Sequence, residues 1–108
     1  MYQTLDNFRD LLKQADPDIT KDFGRGKGDY TVWSEYELDG LHGGNSFQEM
    51  TWRILVERFT HDQNDPIVPG IMQALMDKGI AFQYSKRRSN DQELLYHAWD
   101  CEVIHGEV

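Results

Sequence analysis

Two adjoining periodicities constrain this chain more than anything else in it. From about Glu49 to Thr60, Met50, Trp52, Ile54 and Val56 recur at every second position, the spacing of one face of a β-strand. A few residues later the period changes. Asp65-Pro66 offers a carboxylate at an N-cap and a proline at the first helical position. Ile67, Ile71, Ala74, Leu75 and Lys78 then trace one helical face, widened by Val68, Met72 and Met76. Gly79 stands where a left-handed C-terminal residue is wanted. A strand and a helix joined by a short turn can bury each other's apolar faces. Trp52, Ile54 and Val56 are therefore expected against Ile71 and Leu75.

The rest of the chain fits around that unit. Residues 4–15 predict an amphipathic helix with Leu5, Phe8, Leu11, Leu12 and Ala15 on its stripe, Thr4 as N-cap and Asp16-Pro17 as its stop. Residues 16–29 predict a loop containing Gly24, Gly26 and Gly28. Asp29 to Leu38 predicts a strand with Tyr30, Val32, Tyr36 and Leu38 on its apolar side, which leaves Trp33 with the polar side chains Thr31, Glu35 and Glu37. Residues 39–48 include Gly40, Gly43 and Gly44 and predict a long, mobile hairpin loop. Ile80 to Lys86 predicts a third strand, Arg87 to Gln92 a turn, and Glu93 to Ile104 a fourth strand. That last strand has Leu95, His97, Trp99, Cys101 and Val103 on one side and Leu94, Tyr96 and Ala98 on the other. Its inward face stays open, and a bulge could exchange the two sides midway. The expected fold is α+β, a single domain over residues 1–108. It has an antiparallel sheet of about four strands with two helices packed on one face, in the order α-β-β-α-β-β. A chain of 108 residues supports one modest core.

Charge and composition exclude several functions. Lys and Arg number 11 against 19 Asp and Glu, a net charge of −8, which argues against general affinity for nucleic acid. Lys86-Arg87-Arg88 is the one basic cluster, and in the expected turn it reads as solvated or as a protein contact. The single cysteine, Cys101, excludes an internal disulfide and fits a reducing compartment. No apolar run approaches the roughly 20 residues that span a bilayer, and the segment Met1 to Asp6 has no signal-peptide pattern.

Catalytic patterns fare no better. His97, Cys101 and His105 recur every four residues, but on a strand such positions lie about 13 Å apart, too far to share one ion. Cys101 with His42, His61, His97 or His105 makes no recognisable nucleophile and base pair from spacing alone. The Gly24-Gly28 segment precedes a strand rather than opening a helix, so it lacks the helix N-terminus of a phosphate loop. Pairs such as Asp16 and Asp18, or Glu35 and Glu37, are expected by chance among 19 acids. The reading is no enzyme, no metal and no cofactor. What stands out is a surface. Trp33, Leu55 and Phe59 fall on the nominally polar sides of their strands, and aromatic bulk of that kind anchors protein interfaces. The alternatives are a sheet covered on both faces or a register displaced by one.

The run Thr51-Trp52-Arg53-Ile54-Leu55-Val56-Glu57-Arg58-Phe59-Thr60, then Asp65-Pro66 and the helix ending Leu75-Met76-Asp77-Lys78-Gly79-Ile80, then Tyr96-His97-Ala98-Trp99-Asp100-Cys101-Glu102-Val103-Ile104, resembles the small tail-completion (tail-terminator) proteins of siphophages and related prophages. The N-terminal helix and the strand Tyr30-Thr31-Val32-Trp33-Ser34-Glu35-Tyr36 fit the same pattern, so the resemblance covers nearly the whole chain. It implies a minor virion structural protein at the head–tail junction. Such a protomer assembles as a homo-oligomeric ring, commonly a hexamer, on the end of the tail tube, stops its growth and joins it to the head. It implies tail-tube and head-completion proteins as partners, the virion as location after assembly in the bacterial cytoplasm, and no catalytic residues. Interface residues expected on the chain's own pattern are Trp33, Leu55, Phe59, Lys86, Arg87 and Arg88, the basic segment meeting Glu35 and Glu37 of a neighbour. A small acidic inhibitor that mimics nucleic acid and binds a host protein is the alternative, weakened by Arg53 and Arg58 among the acids.

Overall fold

The first helix, α1, runs Gln3–Lys13 in a computed structural model that describes residues 3–24, 28–39, 50–89 and 93–104. Leu5, Phe8, Leu11 and Leu12 form its buried stripe. Thr4 is not its cap, because it lies inside the helix and is itself buried. The helix stops as expected. The Asp16 N–H donates to the Leu12 carbonyl, and the Asp16 carboxylate accepts from the Asp18 N–H across Pro17.

An element that no periodicity announces comes next. β1, Thr20–Lys21, pairs in parallel with β2, Tyr30–Asp39, setting Thr20 opposite Val32 and Lys21 opposite Trp33. Two residues are too few for alternation to register. β2 then pairs antiparallel with β3, Thr51–Thr60. After α2, Ile67–Asp77, come β4, Ala81–Arg88, and β5, Leu95–Ile104. β3 and β4 both pair antiparallel with β5, giving the order β1-β2-β3-β5-β4. Among the described residues the fold is therefore α+β with two helices, but its sheet is mixed and five-stranded, and the element order is α-β-β-β-α-β-β.

The caps of α2 follow the sequence. Asp65 Oδ1 accepts the Ile67 N–H at 3.0 Å. At the other end the Gly79 N–H reaches the Met76 carbonyl and the Ile80 N–H the Leu75 carbonyl, both at 3.0 Å. Gly79 adopts φ +68°, which a side chain would strain. Gly24 answers a different need: a Cβ there would lie 2.3 Å from the ring of Tyr30, so the loop can rest on that ring only without one.

One core cluster joins both helices to one face of the sheet. Trp52, Ile54, Val56, Ile71 and Leu75 belong to it with Phe8, Trp33, Trp99, Cys101 and Val103. The inward face of β5 is thus the one that carries His97, Trp99, Cys101 and Val103. The parity of β2 is the reverse of the expected one. Trp33 sits opposite Val56 and Glu35 opposite Ile54, so Thr31, Trp33 and Glu35 face the helices while Tyr30 and Val32 face away. A bulge between Glu35 and Glu37 then returns Leu38 to the covered side, opposite Trp52. Arg87 and Arg88 are strand rather than turn, because β4 continues through Arg88 opposite Leu95. The loop expected over residues 39–48 falls, from Gly40 on, outside the described residues, as do Arg25, Gly26, Lys27 and His105.

Candidate interface on the uncovered face of the sheet

Among the described residues no helix covers the far face of the sheet. Tyr30, Phe59 and Tyr96 lie in one cross-strand row, with ring centroids 4.9 Å apart for the first pair and 5.1 Å for the second. The Arg87 guanidinium stands 5.5 Å from the Tyr96 ring centroid. The Tyr96 hydroxyl donates to Glu57 at 2.6 Å, and burial together with that bond pushes the phenol up to about 12. Leu55 lies two residues along β3 from Glu57, on the rim of a shallow hollow of about 280 Å³ shared with Gln83, Ser85, Arg87, Ala98 and Asp100.

The opposite end of this face is polar. Arg53 holds Asp39 at 2.7 Å, Glu102 at 3.0 Å and Glu37 at 3.4 Å. The Asp39 bond raises the guanidinium's hold on its proton. Tyr36 donates to Asp100 at 2.7 Å, a bond that, with burial, raises the Tyr36 phenol. Three carboxylates around one guanidinium leave this corner negative, whereas the end of β4 bears Lys86, Arg87 and Arg88, all exposed.

The expected interface set is divided by the structure. Leu55 and Phe59 share the uncovered face, half-buried, and Arg87 joins them there. Lys86 and Arg88 take the other side of β4. Trp33 leaves the set. It is 3% exposed, packs edge-on against Phe8 at 5.9 Å, and lies under Lys21 at 5.3 Å. It looked out of place in the sequence because the side opposite Tyr30 and Val32 is the core side. Sequence reasoning missed Tyr30 and Tyr96 as partners of Phe59, since only cross-strand register puts the three in one row.

Sequence reasoning also missed the covered face's polar seam. Arg58, at the same parity as Trp52, Ile54 and Val56, is 8% exposed. Its Nε donates to Asp65 at 2.8 Å, and its Nη1 donates to the Thr31 hydroxyl at 3.3 Å and lies 3.6 Å from Asp16. It thereby ties the end of α1 and the start of α2 to the sheet. Asp29 closes the adjoining turn by accepting from the Thr60 hydroxyl and the His61 N–H. His97 Nδ1 lies 2.6 Å from the Tyr84 hydroxyl, and burial, then the charge of Lys86, holds its pKa below the usual value. Burial pushes the Cys101 thiol up to about 12 and it is 0% exposed, so it is neither ionised nor reachable as a nucleophile. Among the described residues no three His, Cys, Asp or Glu side chains converge as metal ligands, and no helix is long and apolar enough to cross a membrane.

No protein-family model matches this sequence, and no curated protein does. Among solved structures it is similar to the sheath/tube terminator of an extracellular contractile injection system, PVC, seen by cryo-EM in the extended state. The identity is 11%, the TM-score 0.40, and the match covers 96% of this chain and 56% of that one. The chain thus spans little more than half the length of that protein, and at this distance the likeness carries no argument about what the chain does.

Proposed function

We propose that this chain is a virion assembly protein of the tail-terminator type. In this reading it forms a ring, commonly of six copies, on the end of a phage tail tube, ends the tube's growth and presents the surface to which the head is joined. Its partners are further copies of itself, tail-tube protein and head-completion protein. It works in the virion after assembly in the host cytoplasm, without catalysis or cofactor. The reading comes from the sequence resemblance. The structural observation that supports it best is the uncovered sheet face, where Leu55, Phe59, Tyr30, Tyr96 and Arg87 make an aromatic and cationic patch with no helix over it among the described residues. Aromatic and Arg side chains of this kind are the usual anchors of protein contacts. A ring needs two different patches that meet around an axis. This face and the charged borders of the sheet offer such patches on one protomer.

The test is the virion itself. Leu55→Asp and Phe59→Asp, introduced into the phage, should give tails of wrong length or tails that fail to join heads, while the purified variants keep their fold by circular dichroism. Folded variants that still end tails at the right length and join heads would remove this face from any essential interface.

A further inference from the structure

The two long borders of the sheet carry opposite charge, and neither is paired along its whole length by the described residues. Among the described residues β4 pairs with β5 alone. Its last residues are exposed, and Lys86 and Arg88 make no ion pair among the described residues. β1 pairs with β2 at Val32 and Trp33, and among the described residues no strand lies beyond residues 34–39. That open half bears Glu37 and Asp39, which share Arg53 with Glu102. It also bears Glu35, which gives one oxygen to Lys21 at 3.2 Å while its other, buried oxygen has no hydrogen-bond partner. An unpaired strand edge is a template for another strand. Here the two templates have complementary charge, in a chain of net charge −8 whose copies otherwise repel.

We propose that β4 of one copy pairs antiparallel with residues 34–39 of β2 in a second copy, joining copies head to tail into one continuous sheet. This rests on the assembly reading above and names the contact it needs. Strand direction permits it: β2, β3, β5 and β4 alternate, so the next β2 meets β4 antiparallel without the copy being turned over. Side-chain parity then fixes the register. Arg87 and Glu37 lie on the uncovered face, Arg88 and Glu35 on the covered one. With the bulge between Glu35 and Glu37, placing Arg87 beside Glu37 also places Arg88 beside Glu35. The incoming strand ends there, where Lys21 of β1 begins beside Trp33.

The geometry has a consequence for closure. Within one copy the row of Arg87 runs through Tyr96, Phe59 and Tyr30, and the row of Glu37 crosses β3 at Arg53, six residues from Phe59. The join therefore staggers successive copies by about 20 Å at about 3.3 Å per residue. Across four strands about 4.8 Å apart, that stagger tilts the strands by roughly 45°, at the upper end of the tilt at which sheets close on themselves. The join is head to tail, and it gives a closed ring where the rotation between successive copies closes.

Charge reversal tests it. Arg87→Glu/Arg88→Glu makes both borders acidic, and Glu35→Lys/Glu37→Lys makes both basic. Each variant alone should associate at least roughly tenfold more weakly than the wild-type chain in sedimentation velocity. An equal mixture should restore association, because every join in an alternating assembly is again complementary. Should the Glu35 variant fail to fold, hydrogen exchange of the wild-type chain reads the same contact: protection of β4 amides should rise with protein concentration. Wild-type association that survives Arg87→Glu/Arg88→Glu unchanged overturns the edge pairing but not the assembly role. A wild-type chain that stays monomeric at its highest soluble concentration, with β4 exchange independent of concentration, also overturns the pairing, and the phage assay then decides the assembly role separately.

Discussion

β3 has two sides, and the same ten residues serve opposite ends on them. Toward the helices, Trp52, Ile54 and Val56 are at most 5% exposed, and the polar residues on that side, Arg58 and Thr60, are sealed and hydrogen bonded. Away from the helices, Arg53, Leu55, Glu57 and Phe59 stay half-buried. Polarity does not separate the faces, since each has aromatic rings and an arginine among carboxylates. Access of water does. An exposed ion pair contributes little, whereas a sealed one is costly to break because the remaining charge is stranded. The covered face should therefore govern stability and the uncovered face association.

The comparison breaks most visibly at Trp52. Trp52→Ala should lower the unfolding free energy by about 3–5 kcal/mol, measured in urea. A loss below about 1 kcal/mol would mean that the helices do not seal this side, and the contrast between the faces would go with it.

The two arginines sharpen it. Arg58→Ala leaves Asp65 and Asp16 buried without their cation and should cost about 3–5 kcal/mol. Adding Asp65→Asn should recover part of that loss, because it removes the stranded charge. Arg53→Ala, among acids on the half-buried face that water still reaches, should move the urea midpoint little. Equal losses at the two positions would show that solvent access is not what distinguishes them.

Titration probes the covered face and its adjoining turn. Burial, then Lys86, holds His97 below its ordinary 6.5. The unfolded chain therefore binds that proton first, and stability starts to fall as pH drops through about 6.5 toward the lower folded value. Burial raises the Asp65 and Asp29 carboxyls, but hydrogen bonds from Arg58 and the Ile67 N–H, and from His61 and Thr60, outweigh it and hold both below 3.8. Their contribution is present above that pH and is lost as pH falls through their folded values. In the alkaline range the Cys101 thiol, moved from 9.0 to about 12, gives stability that is lost as pH rises from 9. Melting temperature against pH should show these steps, and His97→Gln should remove the first acid step. Persistence of that step unchanged would assign it to another group.

The covered face is largely legible in the sequence, because burial on one side imposes the periods that reveal it. The stripe of α1, the even positions of β3, the Ile71 and Leu75 face and the cap at Asp65 all show this. β2 reads inverted because Tyr30 and Val32 alternate as apolar while the core residue Trp33 stands between Thr31 and Ser34, and the bulge changes parity midway. Alternation marks neither which side is buried nor where it breaks. β1 and the end of β4 have no buried side to leave a pattern, so one is missed and the other reads as a turn. Leu55 and Phe59 looked out of place because they face away from the helices, and Trp33 because it faces them. A residue that departs from a pattern shows that the pattern is incomplete, without saying on which side.

At Leu55 a small effect on stability is expected beside a large one on assembly. Leu55 lines the hollow on the uncovered face, and no helix among the described residues packs over it. Leu55→Asp should leave unfolding free energy within the scatter of surface changes, about 0.5 kcal/mol either way. Phe59→Asp should cost somewhat more, about 0.5–1.5 kcal/mol for each of its ring contacts with Tyr30 and Tyr96. Both place a further negative charge on the surface proposed to meet another protein, where an unpaired, desolvated carboxylate opposes association. Urea unfolding and sedimentation of the same samples give the two readouts together. A Leu55→Asp loss as large as that of Trp52→Ala would mean that this face too is part of the core. A variant unchanged in stability and in association would confine the contact to the charged borders of the sheet, and the aromatic row would then be surface that the fold tolerates without using.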